Sequence, residues 1–215
     1  TYTNGTWDKG VVYQQQPEDL AVTTDTINVT EDMIYGSKGF NTTGTDSTTK
    51  TYVIKETPKP VNTQLTIRIR VYNISSINNS IGSITGLAGG YLLTKRHAST
   101  DKATFLLQNF KATVDSTGAT SGWLTITLPT FGLPYGKENS NTRTDTDNVL
   151  TLYLKLSDNK TEKLYTYNVG NMINYAKEVT RTLETTSEVT RNLLLIINNG
   201  PELPKINNGG SSGGS

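Results

Sequence analysis

The stretch Gln64-Leu65-Thr66-Ile67-Arg68-Ile69-Arg70-Val71 decides how this chain folds. Leu65, Ile67, Ile69 and Val71 alternate with Gln64, Thr66, Arg68 and Arg70. Successive strand side chains point to opposite faces, so this is a strand with one buried and one wet face. The same period of two returns at Leu124-Thr125-Ile126-Thr127-Leu128 and at Leu150-Thr151-Leu152-Tyr153-Leu154-Lys155-Leu156. Asp158-Asn159-Lys160 separates the latter from Lys163-Leu164-Tyr165-Thr166-Tyr167. Asp and Asn tolerate the left-handed backbone of a tight connection, so 149–168 reads as a hairpin. The predicted core is Leu65, Ile67, Ile69 and Val71 against Leu124, Ile126, Leu150, Leu152 and Leu154.

Weaker strands are predicted at about 19–29, 51–55, 83–87, 90–94, 104–108, 110–115 and 191–197, divided by clusters of Gly, Pro, Asn and Asp. That spacing leaves no room for parallel crossover helices and predicts an all-β chain, an antiparallel β-sandwich. Only 169–177 has apolar residues at three- and four-residue spacing (Val169, Met172, Ile173, Ala176), which predicts one short helix. Leu193, Leu194, Leu195, Ile196 and Ile197 are apolar without interruption and predict a strand buried on both faces. Pro58 and Pro60 impose extended backbone just before the best strand. Three segments follow: 1–57, N-terminal strands or the remnant of an N-terminal domain; 58–204, the sandwich; and 205–215, a flexible Gly/Ser tail. Residues 36–50 and 136–148 read as loops within this plan.

Composition narrows function. Twenty Lys and Arg face 19 Asp and Glu, a formal net charge of +1, and only 33% of residues are hydrophobic. Such balance gives no field to recruit nucleic acid. There are no Cys residues and one His, His97, so thiol nucleophiles, Cys-type metal sites and histidine triads lack their parts. No catalytic metal, covalent nucleophile or cofactor is expected, and no enzymatic role. No run of 18 apolar residues occurs, so no transmembrane segment is expected. The opening at Thr1, without Met or a basic and apolar leader, reads as a mature or trimmed product.

Other motifs read blandly. Gly86-Leu87-Ala88-Gly89-Gly90 is followed by strand-like Tyr91-Leu92-Leu93-Thr94, so it predicts a tight turn or bulge and not a phosphate loop. Lys95-Arg96-His97 with Asp101-Lys102 reads as a solvated hairpin tip. Asp145-x-Asp147-Asn148 resembles half of a calcium loop but lacks its central Gly and terminal Glu. Trp123 begins a strand, and its indole is expected in the core.

The run Ile77-Asn78-Asn79-Ser80-Ile81-Gly82-Ser83-Ile84-Thr85-Gly86-Leu87-Ala88-Gly89-Gly90-Tyr91, then Phe131-Gly132-Leu133-Pro134 and Asn148-Val149-Leu150-Thr151-Leu152, resembles the fimbrillin-like proteins of Bacteroidales. Pro17-Glu18-Asp19-Leu20 and the closing Gly/Ser tail are similar as well, and the likeness covers about 15–204. The resemblance implies a transthyretin-like, Greek-key sandwich, exported as a lipoprotein precursor to the outer-membrane surface or a fimbria. It also implies assembly by strand addition, in which a groove accepts a terminal strand from another subunit. The chain contains no lipobox Cys and no strand of Phe-Val-Val-Trp type after its Gly-rich tail.

Two functions remain. The first is a cell-surface structural protein, a fimbrial (pilus) subunit or adhesin-like module whose partners are other fimbrial subunits, with a host or bacterial surface ligand in addition. The second is a carbohydrate- or host-ligand-binding module. In the first, the assembly candidates are Leu65, Ile67, Ile69 and Val71 with the 193–197 strand, and the 207–215 tail is a flexible lead to a docking segment.

Overall fold

The computed structural model describes residues 58–176, 179–183, 186–190 and 192–206, together with 2–3, 6–7, 13–14, 17–18, 20–23 and 28–30. The predicted 51–55 strand, the 36–50 loop and the 207–215 tail lie outside the described residues. In chain order the first strands are β1 (Tyr2–Thr3), β2 (Thr6–Trp7), β3 (Tyr13–Gln14), β4 (Ala21–Val22), β5 (Lys59–Pro60), β6 (Thr63–Tyr72) and β7 (Ile77–Ala88). Then come β8 (Tyr91–Leu92), β9 (His97–Ala98), β10 (Lys102–Leu107), β11 (Lys111–Val114), β12 (Ser121–Thr130) and β13 (Val149–Leu156). The last are β14 (Glu162–Asn168), β15 (Asn174–Tyr175), β16 (Val179–Leu183), β17 (Thr186–Thr190) and β18 (Asn192–Ile197). Helix is limited, among the described residues, to three-residue 3-10 turns.

Two five-stranded sheets form the sandwich, one ordered β14-β13-β7-β10-β3 and the other β11-β12-β6-β18-β15. Leu65, Ile67, Ile69 and Val71 turn inward with Leu124, Ile126, Leu128, Leu193 and Leu195, against Ile84, Phe105, Leu107, Leu150, Leu152 and Leu154 from the facing sheet. β6 alternates buried with half-buried residues along its length, as its period of two requires. The 149–168 hairpin forms as β13 and β14, paired from Val149↔Asn168 to Lys155↔Glu162.

The all-β sandwich is as expected, and the pairings within its two sheets are antiparallel except that β18 runs parallel to β6 from Asn192↔Gln64 to Ile197↔Ile69 and β3 runs parallel to β10. Three expectations are corrected. Strand β18 is not buried on both faces: Leu193, Leu195 and Ile197 are buried, while Leu194 and Ile196 are half-buried on the outer face. There they lie in register with Thr66 and Arg68, whose aliphatic parts shield an apolar neighbour without a second layer above it. The 169–177 segment forms no helix. The Val169 and Gly170 N–H groups donate to Asn148 and Asp145 carbonyls, a single turn follows at Met172 and Ile173, and Asn174 enters β15. One turn cannot recover the cost of helix nucleation, and tertiary bonds take its donors instead. Lastly, Trp123 lies half-buried on the outer face, its neighbours Gly122 and Leu124 being the inward residues of β12.

The N-terminal part is tied to the sandwich at defined points. Asn62 accepts from Leu20 N at 3.0 Å through Oδ1 and donates through Nδ2 to the Glu18 carbonyl at 2.9 Å, and β4 pairs with β5.

Candidate functional site

Strand β7 is twelve residues long and β10 only six, and this mismatch leaves part of β7 uncovered. Pairing with β10 covers β7 from Gly82 to Ala88 and stops at Leu107↔Gly82. Gln108 and Asn109 then carry the chain across to the other sheet, with Asn109 at φ 65°, a left-handed conformation that Asn adopts more readily than most residues. β11 therefore pairs with β12, from Lys111↔Thr125 to Val114↔Gly122. Residues 77–81 stay paired with β13 on one side, from Tyr153↔Ile81 to Leu156↔Ile77, and have no strand partner on the other among the described residues.

A cleft of about 440 Å³ lies along this unpaired edge, lined by Ile77 to Ile81, by Gln108, Asn109 and Phe110, and by Ala112 and Leu124. Leu124 is fully buried and Phe110 packs half-buried against the core, so the cleft is backed by apolar side chains, while most of the surface it exposes is polar and its rim carries Asn78, Asn79, Gln108 and Asn109. An edge of unpaired backbone groups backed by apolar side chains can take an added strand, since main-chain bonds supply affinity and pockets for alternate side chains supply register.

The Gly86 segment is the bulge expected of it. Ala103 pairs with Leu87 and Phe105 with Ile84, so Thr85 and Gly86 together oppose Thr104, and Gly86 has φ 78°. Thr85 is held by Asn148 Nδ2, which donates to its carbonyl at 2.9 Å, and by Val149 N, which donates to its hydroxyl at 3.0 Å. Lys95 and Arg96 occupy the turn between β8 and β9, where the His97 ring stacks on Tyr135 at 3.8 Å between centroids.

Asp147 is a hub of cations and not a vacant calcium ligand. It accepts from Lys102 Nζ at 2.8 Å, from Lys137 Nζ at 3.5 Å and from Thr144 N at 2.9 Å. The Lys102 bond, then the Thr144 amide, hold its carboxyl well below the usual carboxylate range. Asp145 is exposed, and the Asn148 amide is committed to Thr85. Among the described residues no three His, Cys, Asp or Glu side chains gather as metal ligands.

On the outer face of the second sheet, Trp123 is flanked by two guanidiniums, Arg68 at 4.6 Å and Arg70 at 5.2 Å from its ring centroid. Arg70 also makes two 2.5 Å bonds to Asp115 and one to Ser121 at 3.2 Å. The arginine bond lowers the Asp115 pKa and raises that of Arg70. Reading the sequence alone misses both the 77–81 edge and this rack. The outward alternates Arg68 and Arg70 were its one visible sign.

Fold and site together define an all-β sandwich with an open strand edge. No family model matches the chain, and comparison with curated proteins likewise found no match. Among solved structures, the chain is similar to an adhesin candidate from Bacteroides ovatus, at 13% identity and a TM-score of 0.48. That likeness covers 95% of this chain and 65% of the other. Among the described residues, no helix is long and apolar enough to cross a membrane.

Proposed function

We propose that the protein is an extracellular structural protein of a bacterial outer-membrane surface or fimbria, a pilus subunit or adhesin-like module without catalytic activity that assembles by strand addition. The observation that supports this reading most is the unpaired edge of β7 at 77–81 above the cleft backed by Phe110 and Leu124. Its partners are further subunits, each supplying a strand. Ala112 lines the cleft but is exposed, so Ala112→Trp fills the groove without disturbing the core. Native surface material run unboiled on a gel should show a ladder for the parent protein and none for Ala112→Trp, with an unchanged unfolding midpoint. Equal ladders from both overturn strand addition at this edge.

One observation favours the second reading, a carbohydrate- or host-ligand-binding module: Trp123 faces outward between two arginines. Aromatic and arginine side chains dominate binding hot spots. Trp123→Ala should then abolish retention on immobilised saccharides or host surface protein while leaving any ladder intact, and undiminished retention excludes this face.

A further inference from the structure

Arg143 is an anomaly. It is only 6% exposed, yet its guanidinium has one hydrogen bond, from Nη2 to the Ile173 carbonyl. Nε and Nη1 are buried and have no partner. A buried charge is ordinarily paired and fully hydrogen-bonded, because leaving its donors unmet costs the desolvation of each.

Tyr175 and, less strongly, Asp147 act on Arg143 through space, but neither gives Nε or Nη1 a hydrogen bond, and the Asp147 oxygens are taken by Lys102, Lys137 and Thr144 N. Two lysines thus hold this carboxylate and leave Arg143 without an ion-pair contact to it, while the Asp145 side chain is turned to solvent. The site is also held in place. Arg143 lies between the 3-10 turns Ser140–Thr142 and Asp145–Asp147. Gly170 presses so closely on this loop that a Cβ there would come within 1.9 Å of the Thr144 carbonyl oxygen. Its N–H also binds the Asp145 carbonyl at 2.9 Å, so the side chain cannot easily swing out to water. Burial accordingly lowers the Arg143 pKa, opposing its charged form.

We infer that Arg143 is one half of an anion site, in which a halide-sized monovalent anion accepts hydrogen bonds from Nε and Nη1. A trapped water could accept those bonds but brings no charge to offset a guanidinium withdrawn from solvent. A large or divalent anion does not suit a side chain this closely covered.

Two measurements on the full chain test this. Crystals soaked in sodium bromide should show an anomalous peak within hydrogen-bonding distance of Nε and Nη1, and a refined water without anomalous signal there overturns the site. In solution, chloride replaces gluconate at constant ionic strength. Chloride at ten times its dissociation constant should multiply the folded-to-unfolded ratio of the parent about elevenfold, and Arg143→Met should remove that dependence. Equal chloride dependence in both proteins overturns the inference. Should Arg143→Met fail to fold, Arg143→Lys takes its place: it keeps a charge but not the planar fork, so its chloride dependence should fall, and an unchanged one overturns the inference.

Discussion

Gly86 shows how much one residue carries. Its φ of 78° suits glycine, and a Cβ there would stand 1.9 Å from the Asp147 carbonyl oxygen, so strain and backbone collision coincide. Gly86→Ala should cost about 2–4 kcal/mol in urea unfolding, while Gly118→Ala, at φ 82° but with open space around it, should cost less. Equal penalties would mean that conformation alone matters. On β14, at the edge of the same sheet, burial pushes the Tyr167 hydroxyl up to about 12 from an ordinary 10.0. The folded state holds its proton where the unfolded state has lost it, so this contribution is complete below pH 10 and is lost as pH rises from 10 to 12. Tyr167→Phe should therefore flatten the alkaline limb of the stability profile, and a limb of unchanged slope would assign that loss to other groups.

Among the elements, β6 is legible before any coordinates because Leu65 to Val71 alternate with residues that must stay wet, and all four apolar side chains are fully buried. β18 is not legible to the same depth. Leu193 to Ile197 contain no polar alternate, so periodicity cannot separate burial on one face from burial on two, nor parallel from antiparallel pairing. The open edge of β7 was hidden for another reason: it exists because β10 ends at Leu107 and Asn109 turns the chain away, a fact of two strand lengths and not of the 77–81 residues. Trp123 misled because aromatic burial is a strong prior, whereas the register Trp123↔Arg70 and Thr125↔Arg68 puts it among cations. That rack can be measured. A double-mutant cycle of Arg68→Ala and Trp123→Ala should give a coupling of about 0.5–1 kcal/mol. Strict additivity would mean the stacking contributes nothing to stability.

For the molecule as a whole, the last of the described strands completes the core begun by the first long one. β18 pairs with β6 over six residues, Glu202 bridges Tyr72, and Asn73 Nδ2 donates to the Leu203 carbonyl at 2.7 Å across 130 positions of chain. Leu193, Leu195, Ile197 and Leu203 enter the core from this segment. At about 1.5–3 kcal/mol for each buried side chain they contribute roughly 6–12 kcal/mol, which matches the about 5–15 kcal/mol by which a whole domain is stable. Without the segment, β6 also loses its parallel partner and exposes an apolar edge. A chain ending at Arg191 should therefore lose cooperative unfolding and aggregate. The ladder and the four side chains act through packing and backbone bonds, neither of which needs a covalent link to residue 191. Residues 192–206 co-expressed on a soluble carrier should then bind the truncated chain and restore its near-ultraviolet circular dichroism, whereas the same segment with Leu193 and Leu195 both changed to Asp should not. A truncated chain that unfolds cooperatively at the parental midpoint would show that the sandwich closes without its last strand.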